Sequence, residues 1–223
     1  MAEHLERAVN KLKKKILSLC ANVEENLWKS VKSVEKRDQD MAEDVIASDI
    51  NIDQMEVDVE EECLKILALY QPVAADLRFI ITCLKINNDL ERIGDLAVNI
   101  AERGMFLASH PIPVTIPFDF SNMAEKTQNM LRKSLNALVN MDKEIAKEVC
   151  DADDQIDAIN RDMYNLIKQF TKSNPELIEH LIHLLSISRH LERIADHTTN
   201  IAEDVIYMVE GRIVRHSAES YQL

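Results

Sequence analysis

The apolar residues of this chain recur at three- and four-residue steps almost without interruption. Leu5, Val9, Leu12, Ile16, Leu19, Val23, Leu27, Val31 and Val34 make one stripe. Val45, Ile52, Met55, Val59, Cys63 and Ile66 make a second, and Ile86, Leu90, Ile93, Ala97 and Ile100 a third. That spacing sets one apolar face along a long amphipathic helix and predicts coiled-coil-like seams. The breaks are few. Arg37–Asp40 is a polar corner, and Gln71-Pro72 interrupts the second helix because proline cannot continue the ladder. Residues 109–118 hold three of the five prolines and form the main linker. Beyond it the pattern predicts a helix near 119–140, another near 143–172, and a break at Ser173-Asn174-Pro175. A long last helix then runs to about Val209, with Gly211 as its stop. The expected fold is all-α: two tandem, pseudo-symmetric three-helix bundles over 1–110 and 119–215. A Pro-rich linker at 111–118 joins them and a tail at 216–223 follows. Short loops inside each bundle force antiparallel neighbours.

The two halves repeat each other in wording as well as in pattern. Residues 89–102 read DLERIGDLAVNIAE and residues 190–203 read HLERIADHTTNIAE, identical at nine of 14 positions. Upstream, RDQDMAEDVIASDINID at 37–53 answers MDKEIAKEVCDADDQID at 141–157. Repetition on this scale means one structural unit used twice. Both passages carry an acid four residues before an aspartate. The pairs are Asp49/Asp53 and Glu91/Asp95 in the first copy, Asp153/Asp157 and Glu192/Asp196 in the second.

Counting from the turns brings these pairs to one height. Asp49 lies 23 residues before Pro72 and Asp95 23 after it; Asp53 and Glu91 lie 19 away on either side. Around Pro175, Asp153 and Asp196 are 22 and 21 residues away, Asp157 and Glu192 18 and 17. At about 1.5 Å rise per residue, an antiparallel pair sets Asp49 level with Asp95 and Asp53 level with Glu91. Residues at i and i+4 share a face, so each helix presents a vertical pair of acids. The acids flank or oppose the apolar stripes, which predicts grooves between two helices rather than a buried centre.

An acidic stripe on one helix is ordinarily a solvated face. Here like charges at i, i+4 cost a few tenths of a kcal/mol. Facing acids a few ångströms apart cost about 1 kcal/mol per pair in water. A chain that sets four acids together, twice, accepts a repulsion that a cation relieves. Oxygen-only ligands suit hard cations, and several bridging carboxylates suit more than one ion. No Glu-x-x-His pairs of the kind used by di-iron bundles occur, and no nucleophile with a partnered base is visible, so catalysis is not expected. A carboxylate-bridged multinuclear metalloenzyme is the alternative reading.

Composition narrows the partners. The formal net charge of −13 gives no general attraction to nucleic acid or anionic lipid. Three glycines and five prolines are too few for a turn-rich β protein. Four dispersed cysteines form no Cys-x-x-Cys and read as reduced core thiols. No run approaches a membrane span and no apolar leader is present, so a cytoplasmic protein is expected. His183, His190 and His197 recur every seven residues without a counterpart in the first repeat, a stripe for surface or packing. Lys11 and Lys13–Lys15 form a basic patch expected to face solvent.

The stretches QPVAADLRFI at 71–80, NNDLERIGDLAVNIAE at 87–102 and RHLERIADHTTNIAE at 189–203 closely resemble the PhoU family, accessory proteins of phosphate-specific transport. The resemblance covers essentially the whole chain. It implies six helices in two similar bundles, with multinuclear metal clusters held by Asp49, Asp53, Glu91, Asp95, Asp153, Asp157, Glu192 and Asp196. Iron is the expected metal, with zinc, manganese, magnesium or calcium as alternatives. It also implies negative regulation of phosphate uptake and of the phosphate-starvation response; a homo-oligomer, a dimer, is expected. The implied partners are the ATPase subunit of the phosphate ABC transporter and a membrane sensor histidine kinase. The second turn, Ser173-Asn174-Pro175-Glu176-Leu177, departs from the Gln-Pro-Val-Ala wording of the first, so a contact made there is expected in repeat 1 only.

Overall fold

Two corners of this chain are built alike, and they set the geometry of both halves. Helix α1 (Ala2–Lys36) ends at Arg37, whose φ of 55° turns the chain, and the Asp38 amide donates to Ser33 O at 2.9 Å. Helix α4 (Phe120–Asn140) ends the same way at Met141, φ 54°, with the Asp142 amide donating to Ala137 O at 2.9 Å. Each corner then supplies the N-cap of the next helix. Asp38 accepts from the Met41 amide ahead of α2 (Gln39–Tyr70), and Asp142 accepts from the Glu144 and Ile145 amides ahead of α5 (Lys143–Ser173). An aspartate there satisfies orphan first-turn donors and typically contributes about 1 kcal/mol.

The other ends follow their local chemistry. Gln71 adopts φ 46° and closes α2 through its amide to Leu67 O before Pro72. Helix α3 (Ala74–Ser109) follows at once. In the second half Asn174 closes α5, a 3-10 turn spans Pro175–Leu177, and α6 (Ile178–Glu210) ends at Gly211, φ 71°. The computed structural model describes residues 2–110 and 120–212. The linker expected at 111–118 and the tail expected at 216–223 lie outside the described residues. Six helices and no strand occur among the described residues.

α1, α2 and α3 pack on one another, as do α4, α5 and α6. The bundles are not independent cores. Their most extensive interhelical contact joins α3 to α6, and one apolar cluster runs from Leu12 and Ile80 through Leu90 and Ile93 to Leu131, Leu191 and Ile201. Each such fully buried aliphatic side chain contributes about 1.5–3 kcal/mol. α2 and α5 lie outside this spine, α2 packed along α3 and α5 along α6. Cys20, Cys63 and Cys83 are buried and unbonded as expected, whereas Cys150 is only half-buried. No described helix is long and apolar enough to cross a membrane.

Candidate functional site

The acids of each predicted set lie on a spine helix and its outer neighbour, close enough to feel one another's charge. In the first, Asp49 feels the charges of Asp53 and Asp95, and Glu91 those of Asp95, Asp53 and Glu56. In the second, Asp153 faces Asp196 and Asp157, and Glu192 faces the same two aspartates. The cross-helix partners are those counted from the two prolines: Asp49 with Asp95, Asp53 with Glu91, Asp153 with Asp196, Asp157 with Glu192.

Burial adds to repulsion at these groups. Desolvation first, and neighbouring carboxylates second, push Asp49, Glu91, Glu192 and Asp196 above their ordinary values. Asp153 is pushed furthest, from 3.8 to about 6. Thr199 beside it offsets part of that push, although its hydroxyl stays outside hydrogen-bond geometry. One oxygen of Asp49 and one of Asp153, the matching residues of the two repeats, are buried with no hydrogen-bond partner. An ionised oxygen in that position is costly unless something satisfies it.

The charge is relieved only loosely by protein cations. Arg92 reaches Glu91 at 3.5 Å and Asp95 at 3.6 Å, and Arg161 reaches Asp157 at 3.7 Å. Among the described residues no three His, Cys, Asp or Glu side chains already converge on one ion position. Gathering four acids therefore requires Asp53, Asp95 and their counterparts to turn inward from partly open positions. The donor chemistry fits a hard cation: oxygen ligands only, two orphaned buried oxygens, and carboxylates held at one height with too little positive charge. Gly94 matters here for a local reason. A Cβ on it would stand 3.2 Å from Ile52 Cγ2 and 3.9 Å from Asp49 Oδ1, so its smallness lets α2 close on α3 at this height.

The histidine stripe has a packing role on the α3–α6 seam. His197 Nδ1 meets Asp89 Oδ1 at 2.9 Å, and Asn200 Nδ2 donates to the same oxygen at 3.3 Å. His183 stacks on Phe106 at 3.8 Å between ring centroids. Burial and nearby Arg103 hold His190 down at about 4. Asp89 is a residue that the acid-pair pattern misses, and its signal in the sequence is a carboxylate inside the apolar stripe between Ile86 and Leu90. The lysine patch is more engaged than expected: Lys11 pairs with the buried Glu62 at 2.7 Å, and Lys13 lies 5.3 Å over the Phe79 ring.

The PhoU domain model matches residues 16–104 and again 120–205, one match per repeat. A phosphate-specific transport system accessory protein PhoU homolog of Aquifex aeolicus is 37% identical over 212 residues, covering 95% of this chain and 96% of that protein. The corresponding homolog 1 of Thermotoga maritima is 33% identical over 209 residues, covering 94% and 90%. The crystal structure of PhoU from Pseudomonas aeruginosa superposes with a TM-score of 0.90 at 31% identity, over 93% of this chain and 99% of that one. Two domain matches in tandem, a common fold and this identity along nearly the whole chain lead to one assignment: the chain belongs to the PhoU family.

Proposed function

We propose that this protein is a metal-binding regulatory adaptor of a phosphate-specific transport system, performing no chemistry of its own. In this reading it restrains phosphate uptake and the phosphate-starvation response from the cytoplasmic side. It does so by contacting the transporter's ATPase subunit and a membrane sensor histidine kinase, as a homodimer. Family membership supports the link to phosphate transport. The single observation that supports metal binding is the pair of matching acid sets, each with one buried carboxylate oxygen that no protein group satisfies. Asp49, Asp53, Glu91 and Asp95 would hold one cluster, and Asp153, Asp157, Glu192 and Asp196 the other. Bound cations would neutralise the repulsion described above and supply coordination sites on the protein surface. Iron is the proposed metal, with zinc, manganese, magnesium and calcium as the competitors to be distinguished.

Elemental analysis of natively purified protein tests the metal. The wild type should carry metal at both sites, and the double variant D49N/D53N should lose one site's content and keep the other's. Unchanged content in the double variant overturns the assignment. A deletion strain tests the regulation: uptake and the starvation response should stay on at high phosphate. Normal repression in that strain, with no complex to either partner at low salt, overturns the adaptor reading.

A further inference from the structure

The α2/α3 and α5/α6 faces correspond to each other through the repeat, yet their outer stretches differ in charge. In repeat 2 a groove of about 530 Å³ runs between α5 and α6, lined by Asn160, Arg161, Tyr164, Asn165, Leu185, Arg189 and Glu192. The repeat-1 positions in the same register are Glu56, Val57, Glu60, Glu61, Leu84, Asn88 and Glu91. Four carboxylates and no Lys or Arg at the seven positions on one side thus correspond to two guanidiniums and a single carboxylate on the other. Leucine is kept at Leu84 and Leu185, and glutamate at Glu91 and Glu192.

A partly buried hydrogen bond at the matching place in each repeat makes the exchange specific. In repeat 1 the buried Asn87 donates to the Glu56 side chain at 2.9 Å and to its backbone oxygen at 3.0 Å. At the matching place in repeat 2 the fully buried Ser188 donates to Asn160 Oδ1 at 2.8 Å. The supporting donor is kept while the residue it orients changes from a carboxylate to an amide. With its oxygen held by Ser188, Asn160 has its Nδ2 donors left for the groove. Arg189 makes no ion pair among those described, and Arg161 only the 3.7 Å contact with Asp157. Tyr164 is 57% exposed and offers a ring and a hydroxyl. Planar guanidiniums form paired hydrogen bonds to phosphate oxygens. The volume lies in the range of organic-ligand sites and exceeds what a bare phosphate fills.

We propose that the α5/α6 groove binds a phosphate monoester, with Arg161, Arg189 and Asn160 on the phosphate and Tyr164 and Leu185 against its organic body. The matching face of repeat 1, which carries Glu56, Glu60 and Glu61 at these positions, repels the same anion. Recognition is by side chains outside the eight acids, but Glu192 edges the groove and Asp157 lies 3.7 Å from Arg161, so binding is read both with metal retained and with metal removed.

The test is calorimetric titration of the full chain, both as natively purified and freed of metal with EDTA, using phenyl phosphate, inorganic phosphate and sulfate. Phenyl phosphate should bind saturably at one site per chain and more tightly than inorganic phosphate, with sulfate weakest. R189Q should weaken it about tenfold, as the loss of a charge-assisted hydrogen bond of about 1.5 kcal/mol requires. R161Q should act in the same direction, and N160D more strongly by placing a carboxylate in the groove. R161Q and R189Q should melt like the wild type, and R189Q should keep its metal content when purified natively. Absence of saturable binding, or binding unchanged in both arginine variants, overturns the proposal. Equal affinity for phenyl phosphate and inorganic phosphate would overturn the organic body and leave free phosphate as the ligand.

Discussion

Replacing Asp153 by asparagine should stabilise the metal-free protein at neutral pH. Asp153 is a half-buried carboxyl facing Asp196 and Asp157, and it titrates near 6 instead of 3.8. Between those values the folded chain holds a proton that the unfolded chain has released. Stability therefore falls as pH rises from about 4 to about 6, and the whole cost is present above that window. Full conversion of the shift gives about 3 kcal/mol at about 1.4 kcal/mol per unit. The group is half open to water, which screens the repulsion, so about 1–1.5 kcal/mol is the better expectation. For a chain of this size that is a rise in Tm of about 2–6 °C. The assay is thermal denaturation of wild type and D153N in EDTA at several pH values from 4 to 8. The gain should be present at pH 7.5 and vanish by about pH 4, where both proteins carry a neutral side chain. His183 and His190 slope the other way in both proteins, so the difference between the curves isolates Asp153. Added metal should stabilise the wild type by mass action and D153N less, closing or reversing the gap. A variant that is destabilised or unchanged in EDTA at pH 7.5 would refute the view that Asp153 is a burdened carboxylate.

Other consequences are equally accessible. Chelation should lower the Tm of the wild type, and less so that of D49N/D53N, measured by calorimetry before and after EDTA. His190 should stay neutral until about pH 4, seen as a ring-proton titration far below the ordinary 6.5; with its folded value depressed, it withdraws stability as pH falls below about 6.5. Gly104→Ala should destabilise by about 1–2 kcal/mol in urea denaturation despite the better helix propensity of alanine. Its Cβ would lie 2.9 Å from Val34 Cγ2 with the Val34 backbone behind, a place where overpacking costs more than propensity returns. His197→Ala should cost stability at the α3–α6 seam by leaving the buried Asp89 with Asn200 as its neutral partner, read by the same denaturation.

Much of this molecule is local and was therefore legible in the sequence. Helix boundaries follow from caps and breakers: Asp38, Pro72, Asp142, Pro175 and Gly211 each act through their own backbone or first-turn neighbours. The heights of the acids followed as well, because rise per residue is constant and a short turn fixes where two helices start. What the sequence could not determine is azimuth and docking, which depend on how side chains from distant segments interlock. Only the tertiary structure decided that α3 and α6 form a common spine, fusing two expected bundles into one core. It alone showed that one oxygen each of Asp49 and Asp153 is enclosed without a partner, that the seven-residue histidine stripe meets Asp89, Phe106 and Arg103, and that Arg161 and Arg189 line one groove. Arg161 and Arg189 sit on different helices 28 residues apart, and nothing in their spacing says they meet. Their proximity comes from the packing of α5 on α6, a non-local apolar contact, and that is where periodicity stops and the fold begins to decide chemistry.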